Sequence, residues 1–263
     1  MTETDQPLIL VTNDDGIASP GLRAAVRAVL PLGEVLVVAP AQQQTGSGRS
    51  MPPHDGHIQR TTISLEGNEC EAFTLNSSPA IAVMYGLLKL APRPPSLVVS
   101  GINYGENVGA GITASGTIGA ALEAAASGIP ALAVSLETDK EYYYSHSDAV
   151  DFSTAAHFTR QFARQMLTAS LPPDVDILKV DVPRHATPST PWHVTRVSRQ
   201  PYFHSVQLPD QLAVDFEIRI DMETLEPDSD VYVLRVARRV SVAPLSIDLS
   251  SRVDPHRLDA ILR

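Results

Sequence analysis

A single cysteine, Cys70, in a chain of 263 residues excludes an intrachain disulfide. Its setting, Cys70 to Leu75, reads as core and makes it a small buried residue rather than a nucleophile. Positive charge is also short, with 20 Lys and Arg against 30 Asp and Glu and a net charge of −10. A field of that sign repels polyanions, so nucleic acid polymers and anionic membranes are not expected partners, and an anionic substrate would need a local cation. No apolar run approaches the ~18 residues of a membrane span, and the leader Met1 to Pro7 is short and polar. Neither a span nor a signal peptide is therefore expected, and the cytoplasm is the default location. The eight histidines form no H-x-x-x-H or H-E-x-x-H pair, which leaves a zinc hydrolase unsupported. Internal repeats and low-complexity tracts are missing as well.

What is present is ordinary for a soluble globular protein: 43% hydrophobic and 19% charged positions, enough for a sizeable core. Apolar runs at Leu8 onward, Glu34 to Ala39, Ser96 to Ser100, Pro130 to Leu136 and Asp176 to Val182 have the continuous pattern of parallel strands buried on both faces. Between them, Ser19-Pro20 and Ser78-Pro79 read as helix starts, the second with Ile81, Met84, Tyr85 and Leu88 on one face. Further helices are expected over Thr117 to Ser127 and Ser147 to about Leu167. Two short strands, His57 to Leu65 and Glu71 to Leu75, should form an edge hairpin around Gly67-Asn68. The glycine-rich stretch Gly101 to Gly116 reads as loop.

Strands alternating with helices mean βαβ units. The expectation for residues 1–183 is an α/β, three-layer, Rossmann-like domain with a mostly parallel sheet. Residues 184–263 read as a β-rich extension, with strands at His193 to Ser198, Leu212 to Ile220 and Val231 to Ala237 and a closing helix at Pro255 to Leu262, suited to oligomerisation.

The first strand runs into Asn13-Asp14-Asp15-Gly16. Adjacent carboxylates repel and are costly to desolvate, so the pair is either a solvated turn or one side of a cation site. Ligands in open α/β sheets bind beyond the carboxyl ends of the strands. That edge would collect Asp14 and Asp15, the loop of Thr45, Ser47 and Ser50, and Asn103. An oxygen-only donor set selects a hard divalent cation, Mg²⁺ or Mn²⁺ before Ca²⁺. Ser115-Gly116-Thr117 opens a helix, and its free N–H groups and hydroxyls suit an anion, for which phosphate is the natural choice beside a hard cation. Two other motifs fail on context. Gly109 to Ala114 matches G-x-G-x-x-A but lies about nine residues past its strand, and Thr45 to Ser50 lacks the leading glycine and the lysine of a phosphate-binding loop. His54 and His57, in a polar loop, could line the mouth of the site.

Seven stretches, VTNDDGIASPGL (11–22), VVAP with its loop (37–50), VVSGINYGENVG (98–109), SGTIGAALEA (115–124), GIPALAVSL (128–136), LKVDVP (178–183) and VSVAPLSIDL (240–249), are similar in order to the SurE (survival protein E) family. The family comprises metal-dependent phosphatases of nucleoside monophosphates. The resemblance implies that Asp14, Asp15, Asn103 and Thr45, the last in place of the family's serine, hold one Mg²⁺ or Mn²⁺ per subunit. It also implies that Ser115, Gly116 and Thr117 bind phosphate, behind Ala114 where a tyrosine is usual, and that the subunits pair as homodimers or homotetramers. The activity implied is a nucleotidase releasing nucleoside and phosphate from 5′- or 3′-monophosphates by attack of a metal-activated water. An aspartyl-phosphate route through Asp14 or Asp15, and a non-catalytic nucleotide or metal sensor, stand beside it.

Overall fold

A computed structural model of the chain describes residues 6–65, 68–207 and 214–263. The turn expected at Gly67 and the start of the Leu212 strand lie outside those residues. The described residues form a nine-stranded sheet in the order β3-β4-β2-β1-β5-β6-β7-β11-β8. Within it β1 (Leu8–Thr12) is flanked by β2 (Glu34–Pro40) and β5 (Leu97–Tyr104), with β6 (Ala131–Leu136) and β7 (Ile177–Val182) following. These pairs are all parallel. The edge hairpin is formed by β3 (Ile58–Leu65) antiparallel to β4 (Asn68–Leu75), which joins β2 in parallel.

Every residue of β1 is buried because it is covered on both faces. Ile9 and Val11 pack beneath α1 (Pro20–Val29) and α4 (Ser153–Thr168), meeting Leu22, Val26, Phe158 and Phe162. Leu10 points the other way, with Val38 and Val98, toward α2 (Pro79–Tyr85) and α3 (Gly116–Ala126). The two faces follow from the period of two along each strand. At about 1.5–3 kcal/mol for each fully buried aliphatic side chain, these layers supply the main driving force for the fold.

The structure corrects several sequence expectations. Gly101 to Gly116 is not all loop, since β5 runs on to Tyr104. A register shift after Ser100 lets Asn103 and Tyr104 pair with Ser135 and Leu136. Helix α4 starts at Ser153 rather than Ser147, where Asp151 accepts the Ser153 N–H at 2.8 Å. Leu88 is exposed because a π-type turn, Gly86–Leu90, rotates it off the helix face. Val231 to Ala237 is helical: Tyr232–Val236 forms another π-type turn, with Val233 and Leu234 buried. Its apolar run suits either state, and packing against Tyr202 and Val108 decides.

The sheet does not end at residue 183. Strand β11 (Val240–Leu245), not anticipated, lies antiparallel to β7, and β8 (Trp192–Val194) closes that edge alongside it. Among the described residues only β9 (Phe203–Gln207) and β10 (Val214–Ile218) stand apart, as an antiparallel pair. The final helix, α5 (Pro255–Leu262), buries none of its residues.

Candidate active site

Strand β1 has β2 on one side and β5 on the other, so its carboxyl end is where the strand order reverses and where a crevice is expected. The chain leaves β1 through Asn13, Asp14 and Asp15, turns at Gly16 and enters α1 behind Ser19, whose hydroxyl caps the helix by accepting the Gly21 N–H. The aspartates are not a solvated turn, being 2% and 1% exposed.

Asp14 faces the start of α3. The Thr117 hydroxyl donates to its Oδ1 at 2.6 Å. Close approach requires glycine at 116, where a Cβ would stand 2.6 Å from the Asp14 Cβ and 2.8 Å from both its Oδ2 and the Ser47 Oγ. Asp15 is held by the Tyr104 N–H at 3.3 Å and by the Gln43 side-chain amide at 3.2 Å. Burial pushes the Asp14 carboxyl above its usual range, against the pull of the Thr117 hydroxyl and the amides of Thr117 and Gly116. Asp15 goes well above that range, through burial first and then the neighbouring Asp14 charge. Among the described residues no ion pair reaches either aspartate.

Asn103 completes the arrangement from the end of β5. Its Nδ2 donates to the carbonyls of Tyr104 at 3.1 Å and Gly105 at 2.8 Å, so Oδ1 is the atom left to face a ligand. Thr45, exposed, accepts from the same Gln43 amide at 2.8 Å. Asp14, Thr45, Asn103 and Ser115 together line a crevice of about 240 Å³. Ser115 is also the N-cap of α3, its Oγ accepting the Ile118 N–H at 3.2 Å.

Two expectations change. Thr117 is fully buried with its hydroxyl engaged by Asp14, so this side chain positions a carboxylate and does not line the crevice. His54 and His57 do not border it either: His54 packs edge-on against Tyr85 at 5.1 Å and His57 is exposed, because their loop leads away from β2 to the edge strand.

Other residues at the site escaped the sequence reading. Gln43 joins Asp15, Thr45 and the Tyr143 carbonyl, the last at 2.6 Å. His146 places Nε2 at 2.7 Å from the Asp15 carbonyl, a contact that makes Nε2 the protonated nitrogen. Glu106, buried on the crevice wall, accepts from Tyr143 at 3.1 Å and from Tyr202. The aspartate pair, followed by Asn103 and a glycine-opened helix, signalled the site; these partners lie too far along the chain to be paired by spacing.

The donors fit a hard cation. Two buried carboxylates resist ionising together unless positive charge joins them. Beside them the Ser47 Oγ and Asn13 Oδ1 are buried without hydrogen-bond partners among the described residues. Among the described residues no three His, Cys, Asp or Glu side chains converge, so the set is two carboxylates completed by amide and hydroxyl oxygens, a hard oxygen environment.

Known proteins are similar to this one over nearly the whole chain. The family profile for survival protein SurE matches residues 9–204. A 5′-nucleotidase SurE of Thermococcus gammatolerans is 42% identical over 257 residues, covering 97% of this chain and 95% of its own. One from Archaeoglobus fulgidus is 38% identical over 250 residues, 94% of each chain. The crystal structure of the SurE protein from Aquifex aeolicus has a TM-score of 0.75 at 27% identity, covering 98% of this chain and all of that one.

Proposed function

The chain belongs to the survival protein SurE family, and from that premise we propose that it is a 5′-nucleotidase. The reaction is hydrolysis of nucleoside 5′- or 3′-monophosphates to nucleoside and phosphate, aided by Mg²⁺ or Mn²⁺ held by Asp14, Asp15, Asn103 and Thr45. The observation that carries this reading is the desolvated aspartate pair, unpartnered by any cationic side chain among the described residues, at the switch point of the sheet.

A bound divalent ion supplies the charge that stabilises phosphoryl oxygens and acidifies water. The protein supplies the rest. Thr117 and the α3 amides orient Asp14, and Gln43 and the Tyr104 N–H orient Asp15. Ser115 and the first turn of α3 offer a donor-rich, dipole-favoured seat for the phosphate. Engagement of Asp14 by Thr117 and Asp15 by Gln43 leaves both poorly placed for in-line attack, which favours water as the nucleophile over an aspartyl-phosphate.

The test is release of phosphate from AMP with Mn²⁺ or Mg²⁺, measured again after chelation. Turnover that disappears with chelator and returns with metal is expected; tight nucleotide binding without metal-dependent turnover would make the protein a sensor.

The reading includes a cytoplasmic nucleotide pool as substrate, and no described helix is long and apolar enough to cross a membrane. It also includes self-association. Helix α5 leaves Leu258, Ile261 and Leu262 exposed, and the edge strand β8 exposes Trp192 and Val194. Sedimentation should give a dimer or tetramer, and Ile261→Glu with Leu262→Glu should lower the apparent mass.

A further inference from the structure

The crevice lined by Asp14 also carries a different chemistry. Tyr143, Tyr144, Phe203 and Phe216 line it too. Aromatic residues make up only 5% of the chain, so these four, with Tyr104 in the same lining, form a concentrated patch. The four come from two separate places, the turn after β6 and the β9–β10 hairpin, which the fold brings together over the site.

Their arrangement is fixed from several sides. The rings of Tyr143 and Phe216 stack at 5.8 Å with 15° between their planes, and Phe203 meets Phe216 edge-on at 5.3 Å and 88°. The Lys140 ammonium lies 4.3 Å from the Phe216 ring centre, pairs with Asp215 at 2.6 Å and donates to the Phe216 carbonyl at 2.7 Å, pinning the hairpin to the turn. Tyr143 reaches the backbone two residues beyond Asn103 because position 105 is glycine. A Cβ there, at φ +92°, would stand 2.6 Å from the Tyr143 ring.

We propose that this aromatic wall binds the base of the nucleotide while the Asp14 end of the same crevice binds its phosphate. The inference rests on the nucleotidase reading and adds what selects the substrate. A ligand covering both ends must be anionic at one end and planar and apolar at the other. Packing alone would bury such rings; here Tyr144 is 67% exposed and Phe203 and Phe216 are only half-buried, so ring surface remains open to a ligand. Base stacking on aromatic side chains is favourable enough to change affinity about tenfold or more.

The experiment compares AMP with ribose 5-phosphate, which shares the phosphate and sugar and lacks the base. The protein should prefer AMP in kcat/KM. Phe216→Leu and Tyr144→Ala should each reduce the AMP to ribose 5-phosphate ratio about tenfold, chiefly through KM, and Phe216→Trp should restore it. An unchanged ratio in both variants, with circular dichroism showing an intact fold, overturns the proposal. Calorimetric titration with adenosine alone, in metal-free buffer, separates this inference from the activity itself. Adenosine bound by the parent protein and lost in Tyr144→Ala supports the aromatic site even if no phosphate ester is cleaved, in which case the nucleotidase reading is the one that fails. Adenosine not bound at all overturns the aromatic site even if AMP is hydrolysed.

Discussion

At the scale of single residues, the site is organised by what is withheld from Asp14 and Asp15. Each has hydrogen-bond donors enough to fix its direction and too little positive charge to ionise comfortably without a cation. Asp14→Asn keeps the shape and the Thr117 contact but removes the charge. It should lower kcat/KM for AMP at least ~100-fold and leave the circular dichroism spectrum unchanged; near-parental turnover would rule out Asp14 as a ligand. Thr45→Ser keeps the oxygen and should match or exceed the parent in the same assay. The aspartates, Asn103 and Ser115 were legible in the sequence because each sits directly at a strand or helix end. Gln43, His146 and Glu106 were not. Their roles come from contacts with Asp15, Tyr143 and Tyr202 made only by folding, and isolated Gln, His and Glu residues are common on any surface.

At the scale of elements, the parallel strands were readable because burial on both faces leaves unbroken apolar runs. The extension of β5 was hidden, since Gly101 and Asn103 look like turn residues until β6 pairs with Asn103 and Tyr104 beyond the register shift. The π-type turn at Tyr232–Val236 was hidden for the opposite reason, its apolar residues being good strand formers. Helix α3 was read almost to the residue, and its start couples element to site. Gly116→Ala inserts a methyl group where Asp14 and Ser47 already stand. The expected cost is about 1–3 kcal/mol of stability, read from urea denaturation, together with loss of AMP turnover, because α3 and Asp14 must move apart. Unaltered stability and turnover would show that the helix start is free to shift.

At the scale of the whole molecule, Glu106 ties distant segments together. Tyr143 and Tyr202 donate to it, and the Arg235 Nη1 lies 3.3 Å away. Burial raises its carboxyl above the ordinary 4.5, against the Tyr202 hydrogen bond. The folded state thus holds this proton more tightly than the unfolded chain. That contribution is complete below the ordinary value and is lost as pH rises through the raised one. Glu106→Gln does not titrate, so its urea midpoint relative to the parent should move in the variant's favour as the pH rises above the ordinary carboxyl value. A difference independent of pH would remove Glu106 from the account. Beneath the same region, Lys179 is fully buried between Asp181 at 2.5 Å and Asp230 at 3.0 Å. Burial alone would depress its ammonium, and the two carboxylates more than reverse that. The triad joins β7 to residue 230, far along the chain.

The closing of the sheet by β11 and β8 has a consequence for biosynthesis. Strand β8 is made before β11 but lies outside it, so neither can take its place until residue 245 has left the ribosome. Through the synthesis of the intervening 60-odd residues, the outer edge of β7 presents unpaired backbone groups, the kind of edge that recruits foreign strands. The nascent chain is therefore most in need of chaperone protection late in translation, when every residue lining the crevice has been made and the strand that covers β7 has not.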